Sequence, residues 1–162
     1  MTGRHAVTPE RVLQLLDALE PLDVWVDGGW GVDALVGRQT RPHGDLDLGV
    51  VRAQLDQVVE VLEGLGYAVT DARFVQVTVQ LTHAGEGHRV DLHPSTPVDG
   101  GGTEQFDFDG NTYLIPPAVE GRIGGRLVRC MPVSAQLRAH QGYQLRPVDL
   151  HDMRLLEELG SG

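Results

Sequence analysis

The sequence predicts an α+β fold, and three observations carry that expectation. Apolar residues recur at helical spacing near both ends of the chain, and residues 74–81 alternate polar and apolar as a half-buried strand does. Turn chemistry at residues 83–88 (His-Ala-Gly-Glu-Gly-His) then sends the chain back along residues 89–94, which makes an antiparallel hairpin. A hairpin combined with separate helices is the α+β pattern. With 162 residues and 41% hydrophobic content the chain is long enough to bury a proper core. No linker, repeat or low-complexity tract divides it, so one domain over residues 1–162 is expected, closed by a helical extension over about residues 134–160.

In order, Thr8 followed by Pro9 reads as an N-cap with proline at the first helical position. Val12, Leu15, Leu16 and Leu19 give that helix its apolar face, and it ends before Pro21. Residues 24–26 form a short strand entering a Gly28-Gly29 turn; residues 30–36 form a helix closed by Gly37. A strand over 46–51 follows, then a helix carrying Leu55, Val58, Val59 and Leu62 and ended by Gly64 and Gly66. After the hairpin, residues 95–111 read as a glycine- and acid-rich loop with a short strand at 105–108. Residues 121–125 read as a turn, 126–130 as a strand, and 134–141 and 149–159 as two final helices.

The chemistry is concentrated in residues 27–50. Residues two apart on a strand share a face, roughly 6.5–7 Å apart, so Asp45 and Asp47 project together while Leu46, Leu48 and Val50 enter the core. Adjacent carboxylates repel, and a hard divalent cation such as Mg²⁺ removes the conflict because it binds carboxylates together with substrate phosphates. Gly28 and Gly29 ahead of a helix let backbone N–H groups approach a phosphate closely. An anion-binding turn beside paired carboxylates suggests metal-assisted chemistry on a nucleoside triphosphate. Asp91, flanked by Val90 and Leu92, points out of the core, and converges with Asp45 and Asp47 if its strand pairs with theirs. Arg41 offers a planar fork suited to phosphate oxygens and is assigned to the triphosphate. His43 is set either to contact phosphate or to orient a carboxylate. Asp27 is read as the helix cap, Trp30 as core, Asp33 as a surface residue near the acceptor, and Cys130 as a small buried hydrophobe.

The run Val-Asp-Gly-Gly-Trp-Gly-Val-Asp-Ala-Leu at 26–35, followed by Gly-Arg-Gln-Thr-Arg-Pro-His-Gly-Asp-Leu-Asp-Leu at 37–48, resembles the signature of small antibiotic nucleotidyltransferases. These are the lincosamide nucleotidyltransferases and the aminoglycoside 2''-adenylyltransferases, within the polymerase-beta-like nucleotidyltransferase superfamily. The resemblance runs from about Leu13 to Leu159. It implies a mixed-sheet catalytic core flanked by helices, ATP or another NTP as donor, two Mg²⁺ ions, and transfer of NMP to a hydroxyl of a small antibiotic-like acceptor. It also implies that Asp45, Asp47 and Asp91 are the catalytic and metal-binding acids, that the third of them binds metal or takes the proton from the attacking hydroxyl depending on the member, and that Gly28 and Gly29 hold the phosphates; Asp91 is read as the base with a share in metal binding. His93-Pro94 after Asp91 looks like the lincosamide-type branch, since the aminoglycoside branch places more acid after the catalytic strand. The same scaffold serving as a non-catalytic ligand-binding protein, or as a different enzyme of natural-product biosynthesis, stays open because fold does not fix function.

Charge narrows the partners. The net charge is −10 and all 13 basic residues are arginine, which argues against a nucleic-acid footprint and favours a cationic acceptor. With no lysine, arginine must supply any side-chain contact to the triphosphate. No apolar run approaches a membrane span and the N-terminus is polar, so no membrane partner and a cytoplasmic location are expected. Only about 30 residues follow Cys130. The acceptor pocket is then either shallow or completed by a second subunit; a homodimer follows in the second case, and a sedimentation mass at the monomer value removes it.

Overall fold

The structure, a computed structural model, describes residues 4–160. Helix α1 (Pro9–Leu19) begins as its sequence dictates: the Arg11 N–H donates to Thr8 Oγ1 at 3.1 Å, and Pro9 needs no such partner. Strand β1 (Val24–Asp27) leads straight into α2 (Gly28–Val36), which ends at Gly37 in the left-handed conformation. Strand β2 (Asp45–Val51), a short 3₁₀ turn (Arg52–Gln54) and α3 (Leu55–Gly64) follow. Then come β3 (Tyr67–Asp71), β4 (Val79–His83), β5 (Arg89–Pro97), β6 (Thr103–Phe106), β7 (Thr112–Ile115), β8 (Val119–Ile123) and β9 (Arg126–Cys130). Helices α4 (Val133–Ala139) and α5 (Pro147–Gly160) close the described chain.

The strands form a mixed sheet in the order β3-β4-β5-β2-β1-β9-β8, with the β6–β7 hairpin attached to β5. Pairs β2–β5 and β1–β9 are parallel and the rest antiparallel. The α+β mixed-sheet expectation therefore holds. Leu46, Leu48 and Val50 of β2 and Val90 and Leu92 of β5 are fully buried, in one core with Leu15 and Leu19 of α1 and Val58 and Leu62 of α3. Their neighbours on the opposite face are the polar residues of the site.

Several boundaries differ from the sequence reading, each for a local reason. The alternating stretch 74–81 is strand only from Val79; Phe74 C=O accepts the N–H groups of Val77 and Thr78 in a turn, leaving Phe74 53% and Val75 48% exposed. The turn is needed because β4 returns along β3, an edge strand the sequence reading did not contain. Strand β7 was likewise unread, and β6 starts two residues before the expected strand. The turn expected at 121–125 is confined to Gly124 and Gly125, and Gly121 belongs to strand β8. A Cβ there would lie 2.6 Å from Ala34 O, so this glycine marks close backbone approach of α2 to a strand. Gly28 and Gly29 are the first residues of α2 rather than a separate turn; Gly28 at φ +60° lets β1 enter the helix directly. No helix among the described residues is long and apolar enough to cross a membrane.

Beside β5, Tyr67 OH and His88 Nε2 share a hydrogen bond of 2.6 Å, and the fully buried His88 ring stacks on His83. Burial, and then the charge of His83, hold the His88 imidazole below its ordinary value of 6.5. The unfolded chain therefore takes the proton first. The stability that neutral His88 contributes is complete above that value and is lost as pH falls through the lower folded one. The urea midpoint is expected to drop as pH falls below about 6.5, and to drop less in His88→Gln.

Candidate active site

The site is built by register. Antiparallel pairing sets Asp27 of β1 opposite Asp47 of β2, and parallel pairing sets Asp47 opposite Asp91 of β5. Three strands thus place carboxylates in one row, with Asp45 two residues along. Asp45, Asp47 and Asp91 each offer an oxygen within 4.8 Å of the others. Burial, and then the charge of Asp47, push Asp91 up to about 6 and raise Asp45 as well. Arg89 offsets part of this, with Nη2 at 3.1 Å from Asp45 Oδ2 and 3.5 Å from Asp91 Oδ2. His93 Nε2 lies 2.8 Å from Asp47 Oδ1. Burial alone would lower the His93 pKa, but its bond to Asp47 and the surrounding carboxylates outweigh that and push it up to about 9. The donor set suits a hard divalent cation: three hard oxygen ligands converge, and Asp91 Oδ1 is buried with no hydrogen-bond partner.

These acids form part of the wall of an open cleft of about 530 Å³, within the ordinary range for small-molecule sites. Of the seven residues singled out from the sequence, six line it: Asp45, Asp47, Asp91, Gly28, Gly29 and Arg41. His43 does not. It is 2% exposed, its Nε2 lies 2.7 Å from Asp33 Oδ2, and its ring tilts against Trp30. A Cβ on Gly28 would lie 2.2 Å from Asp47 Oδ2, and one on Gly29 2.3 Å from Arg41 Nη2. The glycine pair therefore leaves the space that the carboxylate and the guanidinium occupy. Gln136 of α4 donates to Gly28 C=O at 3.1 Å and fixes the pair from behind.

Two smaller readings are corrected. Asp27 occupies the N-cap position but makes no capping hydrogen bond. Its side chain is turned into the cleft wall, where burial pushes it up to about 7 against the opposing charge of His93. Asp33 is not a surface residue. It is 1% exposed and accepts from the Thr40 N–H and hydroxyl as well as from His43, which ties down the loop that carries Arg41. Trp30 and Cys130 are buried as expected.

Sequence reasoning missed Arg89, Arg146, Asp149 and Asp152, all on the cleft wall. Arg89 had a readable signal: Arg89, Asp91 and His93 alternate with Val90 and Leu92 on one polar face of β5. The signal for Asp149 and Asp152 was their spacing of three on a helix, which puts both on the same side.

Comparison with known proteins matches this geometry. The family described as aminoglycoside-2''-adenylyltransferase matches residues 10–156. A lincosamide resistance protein of Staphylococcus haemolyticus is 32% identical over 157 residues, 94% of this chain and 96% of that relative. A 2''-aminoglycoside nucleotidyltransferase of Escherichia coli is 35% identical over 113 residues, 67% of this chain and 58% of that relative. Among solved structures, the lincosamide antibiotic adenylyltransferase LnuA in its lincomycin-bound form superposes with a TM-score of 0.83 at 31% identity, covering 96% of this chain and 99% of that one. ANT(2'')-Ia in complex with adenylyl-2''-tobramycin superposes with a TM-score of 0.74 at 22% identity, over 94% of this chain and 92% of that one, a likeness that shows the fold alone.

Proposed function

The chain belongs to the aminoglycoside-2''-adenylyltransferase family, and from that premise we propose that it transfers a nucleoside monophosphate, AMP from ATP first, to a hydroxyl of a small lincosamide-type antibiotic. The single observation carrying this reading is the convergence of Asp45, Asp47 and Asp91 beside Gly28, Gly29 and Arg41 in one cleft. The acceptor oxygen attacks the α-phosphorus, the bond from α-phosphorus to the bridging oxygen breaks, and pyrophosphate leaves with that electron pair. Asp91 takes the hydroxyl proton; its raised pKa suits a base working near neutrality. Asp45 and Asp47, with a share from Asp91, would hold Mg²⁺, which when bound stabilises charge on the attacking and leaving oxygens. The N-terminus of α2 and the N–H groups that Arg41 does not spend on Asp152 receive the β- and γ-phosphates.

The walls bear on the acceptor. Phe106, Phe108, Tyr113, Leu114, Ile115 and Met131 supply apolar surface. A polycation needs several carboxylates to grip it, yet most of the acids here are engaged. Asp149 and Asp152 pair with arginines, and Asp107 accepts the N–H groups of Asp109 and Asn111. That balance supports an acceptor with one amine and apolar substituents over an aminoglycoside. With Mg²⁺ and each of the four common NTPs, pyrophosphate release is expected with lincomycin, fastest with ATP, and at least about tenfold slower with tobramycin. Equal rates would overturn the acceptor preference. Tight lincomycin binding with no pyrophosphate from any NTP would overturn the transferase reading and leave a ligand-binding scaffold.

A further inference from the structure

Two arginines face the cleft from the side of α5, and each is gripped from behind by a buried acid of that helix. Arg41 Nε and Nη2 donate to Asp152 Oδ1 and Oδ2 at 3.0 and 2.8 Å, a bidentate fork. Arg146 Nε and Nη2 donate to Asp149 Oδ2 and Oδ1 at 3.1 and 3.3 Å, and its backbone N–H adds a bond of 2.8 Å. The Asp152 and Asp149 side chains are 3% and 5% exposed. They stand three residues apart, on one face of α5. The same helix holds the loop bearing Arg41 at a second point, where His151 Nε2 lies 2.9 Å from Thr40 Oγ1.

We propose that Asp149 and Asp152 are positioning residues that aim Arg146 and Arg41 at the triphosphate, an assignment that rests on the nucleotidyl-transfer reading above. A guanidinium carries five N–H groups, so a fork bonded to one carboxylate keeps donors for a phosphate. Besides the acids that grip them, both arginines feel the charge of Asp45, and Arg41 feels that of Asp33 ahead of it. A guanidinium released by α5 would fall onto the acid cluster, cancel part of its charge and leave the anion without its donor. The helix thus keeps cations and catalytic acids apart within one small cleft. The chain has no lysine, and the cations directly beside the acids are already committed, Arg89 to Asp45 and Asp91 and His93 to Asp47.

The sign of one measurement separates positioning from plain charge balance. Removing a negative charge beside an anion site should tighten anion binding, whereas releasing a positioned fork should weaken it. Inorganic tripolyphosphate, titrated calorimetrically into the full chain in metal-free buffer, is the probe, and KM for ATP against kcat is the kinetic readout. Asp152→Asn and Asp149→Asn are each expected to weaken tripolyphosphate binding about tenfold or more, the scale of one charge-assisted bond. KM for ATP should rise in step, kcat should change much less, and acceptor KM should stay level. Arg146→Gln should also weaken binding, and its melting temperature should fall as well, since buried Asp149 keeps only the backbone N–H of residue 146 from that residue. Asp149→Asn decides the question by the sign criterion if Asp152→Asn does not fold. Binding that is unchanged or tighter in these variants, or a fall in stability alone, overturns the assignment while leaving the proposed reaction standing if the wild type turns over. A wild type that binds neither tripolyphosphate nor ATP overturns both.

Discussion

Replacing Asp91 by asparagine is expected to lower turnover by about 10²–10⁴-fold, the contribution of a positioned general base, while raising the stability of the metal-free protein. The two effects have one origin. Asp91 is 8% exposed, and burial and the charge of Asp47 raise its carboxyl to about 6. A folded pKa above the unfolded value of 3.8 means that the folded chain binds this proton more tightly. Stability from this group is therefore full below 3.8 and declines as pH rises through 6, so at neutral pH the ionised side chain works against the fold. Asparagine keeps the shape, removes the charge and relieves Asp47. Thermal melting in chelator should show a higher midpoint for Asp91→Asn than for wild type. Adding Mg²⁺ should raise the midpoint of the wild type by mass action and that of the variant much less. A variant that retains full rate would remove Asp91 from the reaction. One that loses rate and stability together would make the residue structural.

The sequence showed most of this site because the chemistry lies on strands, where side chains alternate. Asp45-Leu46-Asp47-Leu48 and Val90-Asp91-Leu92 both sort into a core face and a polar face from the period alone. The parallel pairing of Asp47 with Asp91 is a tertiary fact that no local pattern carries. Only the resemblance to antibiotic nucleotidyltransferases implied it. Glycine misled in both directions: it suggested a turn at Gly121, where a helix backbone crowds a strand, and a turn at Gly28, where a helix begins. Phe74 and Val75 continued an alternation past the end of their strand, because apolar residues at a hairpin turn carry the same pattern as those within it. The acids behind the site were the hardest to read. Asp33, Asp149 and Asp152 look like surface charges until their partners, Thr40, His43, Arg146 and Arg41, are brought against them by the fold.

Gly28→Ala is expected to reduce turnover by about 10²-fold or more, the scale of a misplacement of about 1 Å at a reacting centre. Two separate demands meet at this residue. Its φ of +60° disfavours any side chain, at a stability cost of about 1–3 kcal/mol. A Cβ there would also lie 2.2 Å from Asp47 Oδ2, 2.8 Å from Cγ and 3.0 Å from Cβ, so the whole Asp47 side chain would have to move. Gly37, at the other end of the same helix, separates the two demands. Its φ is +94°, and nothing lies within 4 Å of a Cβ built on it. Gly37→Ala should therefore lose stability on a similar scale and keep its rate, whereas Gly28→Ala should lose both. Melting temperature and steady-state rate on the two variants check this. Equal rate losses would place the defect in backbone strain of α2, whereas a loss confined to Gly28→Ala would place it at the Asp47 carboxylate, where an added methyl group and a catalytic acid cannot share one space.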